Sequence, residues 1–329
     1  MKKTAIICLL VCGLVCCKNA NRIVLRNKDI PEKDRNEIQA IISKVYSGFV
    51  AKDASYIKSI TSKFFKTEEF GLLDTMMTFI PTGEDFSKRV VIDECLIENG
   101  KDYGTDSIES VNLNPDGYII TFEHETNPFY IYMFSVFNGG SNRILISCFF
   151  LKENGLWKLR TLFIGPYLYN GETAPQIYAR AKKMSDNGNV IGSYLTMAIY
   201  SQYAIPAGPL LHYKTENASR ELTDTLREKI KEKYSFPLKI NDIATAPEIF
   251  SLYPQFVGNR YYPLVLYKSS VSIYDTVSLG AENKKLHKVI GEIFPGMFQF
   301  SDTIIYHVTN QPIGNAGEFK YYGFFRARE

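Results

Sequence analysis

The hydrophobic period of this chain changes at Ile80-Pro81-Thr82-Gly83, and this change constrains the fold more than any other feature of the sequence. Before it, apolar residues recur at the 3.6-residue spacing of amphipathic helices. After it, they alternate with polar residues at the two-residue spacing of strands. Helices followed by a run of hairpin strands are typical of the α+β class. We therefore predict an α+β fold over residues 31–167, with its helices packed on a curved antiparallel sheet.

Turn and breaker residues set the limits of these elements. Lys52-Asp53-Ala54 interrupts the helical pattern of residues 31–65, and a third helix is predicted over 68–79. Clusters such as Asn114-Pro115-Asp116-Gly117 separate the strands that follow. The predicted strands are 89–98, 107–113, 118–126, 129–138, 143–152 and 156–164.

Gly165-Pro166 and the residues up to Pro175 predict a domain boundary, after which residues 168–329 form a second α+β domain that starts with helices. No known family is indicated by this second half. The charged run Glu228–Lys233 within it has alternating signs and is most simply a solvated helix face. Predicted helices are 174–186, 189–204, 217–234 and 282–293, and predicted strands are 261–268, 270–277, 302–309 and 318–326.

Two segments of the first domain carry a family resemblance. The helical opening 45–54 (VYSGFVAKDA) and the closing strand pair 149–159 (FFLKENGLWKL) are similar to segments of the NTF2-like superfamily. The resemblance covers residues 31–167. It implies a cone-shaped domain with a pocket, which some members use for catalysis and many use for binding alone.

One ionisable side chain is predicted to face the interior of that cone. Alternation places His124 on the same face as Ile120 and Phe122, where a histidine could act as the general base of a hydrolase or isomerase. The further polar groups that enzymes of the superfamily use match no position of this chain, so no catalytic residue is carried over. A satisfied core or rim histidine is the favoured interpretation of His124.

The N-terminus has the three parts of a secretory signal peptide. Lys2 and Lys3 precede an apolar run over residues 4–15, and residues 18–22 are polar. The apolar run is too short to span a bilayer, and no later window approaches the necessary length. We expect residues 1–16 to be removed and residues 17–30 to form a tether. Removal of the signal takes away two of the three net positive charges.

The segment Leu14-Val15-Cys16-Cys17 resembles the lipobox of bacterial lipoproteins, in which a cysteine after a small residue is lipidated. Cys17 is the predicted acceptor. Cys16 stands where Gly or Ala is usual and stays an alternative acceptor, and a plain cleaved signal peptide is a further alternative. Several Asp-Ser/Thr-apolar triplets also resemble the O-glycan acceptor sites of Bacteroidetes. Together these resemblances imply a lipid-anchored envelope protein, in the outer membrane facing the periplasm.

Cys95 and Cys148 are the cysteines that remain after such processing. In an oxidising envelope they could pair in one disulfide. Each also lies in an apolar, strand-like run, so two buried and inert thiols are the alternative. Neither has a basic residue or a histidine nearby in sequence, which disfavours a catalytic cysteine.

Composition and motifs exclude several function classes. Lys and Arg total 38 against 35 Asp and Glu, so the charge offers no basis for binding nucleic acid. The four histidines, His124, His212, His287 and His307, lack the spacing of metal ligands. The motifs of nucleotide sites and serine hydrolases are absent. We therefore expect neither a metal nor a cofactor.

Aromatic residues make up 14% of the chain and offer the remaining candidate site. Tyr261, Tyr262 and Tyr267 could contact a ligand, or they could fill sheet edges and interfaces, which is the favoured interpretation. The sequence thus favours a non-enzymatic, membrane-anchored lipoprotein that binds a small ligand or a protein partner. The alternatives are a hydrolase or isomerase that uses the cone near His124, and an assembly component of an envelope complex.

Lipid anchoring makes a direct prediction. Cys17→Ala should move the protein from the membrane fraction to the soluble fraction without unfolding it, because the thiol is the acylated atom. Fractionation with circular dichroism of the released protein measures both effects, and Cys16→Ala is the matched control. If the double variant, which lacks both thiols, stays in the membrane fraction, lipid anchoring is excluded.

Overall fold

The computed structural model describes residues 22–65, 73–75, 77–78, 80, 86–98, 104–111, 116–124, 128–311 and 320–328. It confirms the α+β class: helices pack on three mostly antiparallel sheets, none of which closes into a barrel. The signal peptide and Cys17 lie outside the described residues, as does most of the predicted helix 68–79.

The described part of the first half begins with a short strand, which is followed by a helix pair and then by hairpin strands. A five-stranded antiparallel sheet has the order β1-β2-β5-β6-β7, and β3 and β4 belong to a separate three-stranded sheet. The predicted strands 89–98, 129–138 and 143–152 are confirmed with small changes at their ends, and 118–126 is confirmed as far as residue 124. The strand predicted over 156–164 extends to Leu168, whereas the one predicted over 107–113 begins earlier, at Gly104, and ends at Glu109. The elements are α1 (Glu32–Ala51), α2 (Ser55–Ser59), β1 (Ile23–Arg26), β2 (Val90–Glu98), β3 (Gly104–Glu109), β4 (Tyr118–His124), β5 (Phe129–Phe137), β6 (Arg143–Glu153) and β7 (Leu156–Leu168).

The second half adds a helical layer and a mixed sheet of the order β13-β12-β11-β10-β9. Strands β11 and β12 are parallel because a helix crosses between them, whereas the other pairs of this sheet are antiparallel. The elements are α3 (Ala174–Asp186), α4 (Val190–Tyr203), β8 (Leu211–Tyr213), α5 (Glu216–Lys233), β9 (Leu238–Lys239), β10 (Glu248–Val257), β11 (Arg260–Lys268), α6 (Thr276–Ile293), α7 (Met297–Phe300), β12 (Thr303–Thr309) and β13 (Tyr322–Ala327).

The five-stranded sheet is buried on both faces. In β5, Tyr130, Tyr132 and Phe134 pack on the side of α1. Phe129 and Ile131 belong to a second core that also contains Ala174, Ile177, Met197 and other side chains from the helices of the second half. Because successive side chains of a strand point to opposite faces, β5 contributes to two cores at once.

The boundary predicted at Gly165-Pro166 is therefore a region of close packing. Gly165 lies inside β7, where a Cβ atom would come within 2.6 Å of the Pro206 carbonyl oxygen. Strand β8 of the second half pairs with β4 of the first half and completes the three-stranded sheet. The glycine that suggested a linker is instead the position that lets the backbone of the second half approach the sheet.

Two other expectations differ from the structure. The predicted tether 17–30 includes β1, which pairs with β2 from Ile23↔Glu98 to Arg26↔Cys95. Arg26 also forms an ion pair with buried Asp93, and this interaction fixes the segment to the sheet. The strand predicted over 270–277 is wrong, because the Asp275 side chain accepts a hydrogen bond from the Ser278 backbone N–H and begins α6.

The N-terminus of α4 rests on a close contact that only glycine allows. Asn189 caps α4 by accepting from the Gly192 backbone N–H at 2.7 Å, and its Nδ2 donates to Gln299 Oε1 at 2.7 Å. A Cβ on Gly296 would lie 1.9 Å from Asn189 Oδ1, and Gly296 has φ +94°.

Gly296→Ala should therefore lower the free energy of unfolding by about 3 kcal/mol, since it adds a clash to a strained backbone. Gly258→Ala is the matched control, because Gly258 also has positive φ, +57°, yet nothing lies within 4 Å of its added Cβ. We expect the control to cost about 1 kcal/mol. Urea unfolding compares them, and equal losses would show that the contact with Asn189 is unimportant.

Candidate ligand-binding cavity

A cavity of about 600 Å³ lies where α4, α5 and β10 meet. It falls within the roughly 300–1,000 Å³ range of small-molecule sites. Its walls combine aromatic and aliphatic side chains with two cations at the rim, and no carboxylate of the described residues lines it. The lining residues are Ile191, Tyr194, Arg227, Ile230, Lys231, Tyr234, Ser235, Phe236, Phe250, Ser251, Leu252 and Phe294.

Three aromatic rings form one wall of this cavity. Tyr234 and Phe294 are buried, with ring centroids 5.0 Å apart, and Phe236 stacks on Phe294 at 6.3 Å. The Tyr234 hydroxyl donates to the Ile293 carbonyl oxygen at 3.0 Å, which fixes the ring. Phe236 keeps 37% of its surface exposed, so it is a wall of the cavity and not part of the closed core.

An irregularity in β10 forms part of the opposite wall. The register of β10 on β11 shifts between Ile249↔Tyr267 and Ser251↔Leu266, which leaves Phe250 as an extra residue. A bulge of this kind bends a strand and redirects its side chains. Phe250 and its two successors consequently line the cavity together.

A smaller pocket of about 280 Å³ lies between the two sheets of the first half. Phe122, Phe129 and Phe149 contribute its apolar wall, and its ionisable lining residues are Arg160, which is buried, and Glu123, which is exposed. The backbone of His124 ends β4 beside Glu123, but the His124 side chain lies outside what the structure describes. The proposal of a general base at His124 thus stays a prediction.

The three candidate tyrosines do not form one site. Tyr267 is fully buried in the core of the second sheet, edge-on to Tyr306 at 6.3 Å. The Tyr261 hydroxyl donates to Gln202 Oε1 at 2.7 Å, whereas Tyr262 is half-buried 6.3 Å from the Phe325 ring. Alternation along β11 places Tyr262 on the sheet face opposite that of Tyr261 and Tyr267. The contacts of Tyr261 and Tyr267 are better explained by filling a core and bridging two elements than by binding a ligand.

Cys95 and Cys148 are free thiols in this structure. They lie on β2 and β6, which β5 separates, and they face different cores. Strands are about 4.8 Å apart, so Cα atoms two strands apart are about 10 Å apart, beyond the roughly 7 Å that a disulfide spans. The disulfide alternative is therefore not formed, and the buried-thiol alternative describes both residues.

Two buried carboxylates of the first half accept hydrogen bonds from tyrosine hydroxyls, and these bonds account for their burial. The Tyr130 hydroxyl donates to Glu94 at 2.6 Å, and the Tyr118 hydroxyl donates to Asp93 at 2.9 Å. Burial, followed by these carboxylates, raises the pKa of both tyrosines well above the usual value. Both phenols therefore stay protonated at neutral pH and serve as donors.

Within the described ranges, no group of three or more His, Cys, Asp and Glu side chains is arranged to hold a metal ion. No helix among the described residues has the length and apolar character needed to cross a membrane. Comparison with protein-family models, with curated proteins and with solved structures finds no match to this chain.

Sequence reasoning missed the cavity because its residues come from four separate segments. The run Glu228–Lys233 was assigned to a solvated face, and its Lys231 is exposed as expected, yet it also lies on the cavity rim. The one local signal is Tyr234 and Phe236, two aromatic residues that follow directly on a charged helix. Their partners Phe250 and Phe294 could not be found from spacing alone.

The two thiols make a testable prediction. N-ethylmaleimide should leave Cys95 and Cys148 unmodified in the native protein even at pH 9, because burial raises the pKa of both thiols well above the usual value. Both should react in denaturant, as peptide mass spectrometry would show. A cysteine introduced by Tyr274→Cys, at a position 79% exposed, is the control that should react without denaturant. Rapid native labelling of Cys95 or Cys148 would contradict their burial.

Proposed function

We propose that this protein is a lipid-anchored lipoprotein of the cell envelope that binds a small, largely apolar ligand and performs no catalysis. The N-terminal signal pattern and Cys17 support the anchor. The single observation that supports binding is the cavity of about 600 Å³ between α4, α5 and β10. Its aromatic wall offers contact area, and the described lining holds no pairing of nucleophile and base.

We also propose that residues 31–167 are an NTF2-like domain. The segment that carries the resemblance contacts the opening helix directly: the Trp157 indole N–H donates to Asp34 Oδ1 at 3.1 Å, and Lys152 Nζ lies 2.8 Å from the same oxygen. Helix α1 thus packs on the closing strands, in agreement with a domain in which helices cover one face of a bent sheet.

The envelope assembly role and the enzyme at the cone remain weaker proposals. Exposed aromatic residues on the second sheet, among them Tyr253 at 39% and Phe325 at 60%, are what an assembly surface would use. The pocket beside Glu123 is what an enzyme that uses His124 would need. Neither feature has both the volume and the aromatic walls of the cavity between α4, α5 and β10.

The wall residue Phe236 provides the test of the binding function. In the full chain with Cys16→Ala and Cys17→Ala, the neutral dye N-phenyl-1-naphthylamine should bind at one saturable site, measured by its fluorescence. Phe236→Ala should weaken that binding about tenfold, because one aromatic contact is lost. Since Phe236 is partly exposed, its loss should leave the protein folded.

Phe256→Ala is the matched control, because Phe256 lies at the far end of β10, is 42% exposed and does not line the cavity. It should leave the affinity for the dye unchanged. Absence of saturable binding, or equal weakening by both substitutions, would reject the cavity as the ligand site.

A further inference from the structure

The charged side chains that line the cavity are both positive. Among the residues that the structure describes, Arg227 and Lys231 are its ionisable side chains apart from the tyrosines, and neither Asp nor Glu lines it. The two cations are four residues apart on α5, so they lie on the same face of the helix, one turn apart. The wall residue Ile230 lies on the same helix face, and the wall residue Tyr234 directly follows the helix.

Both cations are available to a ligand. Arg227 contacts Asp224 at 3.5 Å, but the side chains are 69% and 61% exposed, and ion pairs of this kind are weak. Lys231 makes no ion pair with any other described residue. An acid bound here would therefore replace solvent and one weak contact, without breaking a buried network.

Stabilisation of the helix end does not account for the pair. Cations in the last turn of a helix interact favourably with its dipole, and Lys231 and Lys233 of α5 both satisfy that condition. Arg227 lies nearly two turns from the end, where the interaction has faded. What Arg227 and Lys231 share, and Lys233 does not, is a place in the cavity lining.

We propose that the ligand of this cavity is a small amphiphilic acid: an apolar body, aromatic or aliphatic, that carries one anionic group. This inference rests on the proposed binding function and names its ligand class. The apolar body lies against Tyr194, Tyr234 and Phe236, and the anionic group lies at the rim between Arg227 and Lys231. The charge stays at the exposed edge, so binding avoids the cost of burying it.

Two dyes that differ in one group test this inference. The sulfonate 8-anilino-1-naphthalenesulfonate has the skeleton of N-phenyl-1-naphthylamine with one anionic group added. In the full chain with Cys16→Ala and Cys17→Ala, we expect the sulfonate to bind more tightly than the neutral dye. Arg227→Gln with Lys231→Gln should weaken binding of the sulfonate about tenfold, because two exposed charge contacts are lost. The same double substitution should change the affinity for the neutral dye by less than about twofold. Added salt should weaken binding of the sulfonate but not of the neutral dye.

Arg220→Gln with Lys229→Gln is the matched control, because it removes the same charge from exposed positions of α5 that do not line the cavity. It should leave both dyes unchanged. One outcome would reject the acid class alone. In it, Phe236→Ala weakens binding of the neutral dye, but the affinity for the sulfonate does not respond to the rim substitutions, or responds equally to the control pair. The cavity would then still be the ligand site. If neither dye binds saturably, the binding function itself fails.

Discussion

Burial of the five-stranded sheet on both faces is the constraint on which the rest of the structure depends. Strands β5 and β6 carry apolar or aromatic side chains at nearly every position, and their central residues are all buried. A strand with no polar face must be covered on both sides. Helix α1 covers one side, and the helices of the second half cover the other. The two halves are therefore packed together, with a sheet and a core in common.

The same constraint explains where the cavity lies. Helix α4 packs between the core of the first half, through Met197 and Tyr200, and the core of the second sheet, through Ile191 and Leu195. A helix engaged on both sides cannot also fill the space beside the bulge in β10. That space is closed by Phe236 and Phe294 on one side and remains open at the rim of α5. The incomplete packing leaves a space walled by Tyr234, Phe236 and Phe294, which is why we place the ligand there.

The N-terminal strand relates the anchor to the body of the protein. Strand β1 begins at Ile23, and Arg26 pairs with Asp93 in the sheet, so an anchor at Cys17 leaves few residues between lipid and fold. At about 3.5 Å per extended residue, that segment spans about 20 Å at most. Under the anchoring proposal the first sheet would stay close to the membrane surface, within reach of amphiphiles that leave it.

The sequence by itself determined the class of the fold and most of its elements, because the periods of 3.6 and two are local properties of the chain. Helices 174–186 and 189–204 and the strands from Val90 to Leu168 were found in this way, whereas β8 and β9 were too short and β10, with Pro254 in its centre, was too irregular. Only the tertiary structure decided that Gly165 is a packing position, that Cys95 and Cys148 face different cores, and that Arg227, Lys231, Tyr234, Phe250 and Phe294 surround one cavity. Those facts depend on which faces meet between segments that are far apart in the chain, and no local period carries that information.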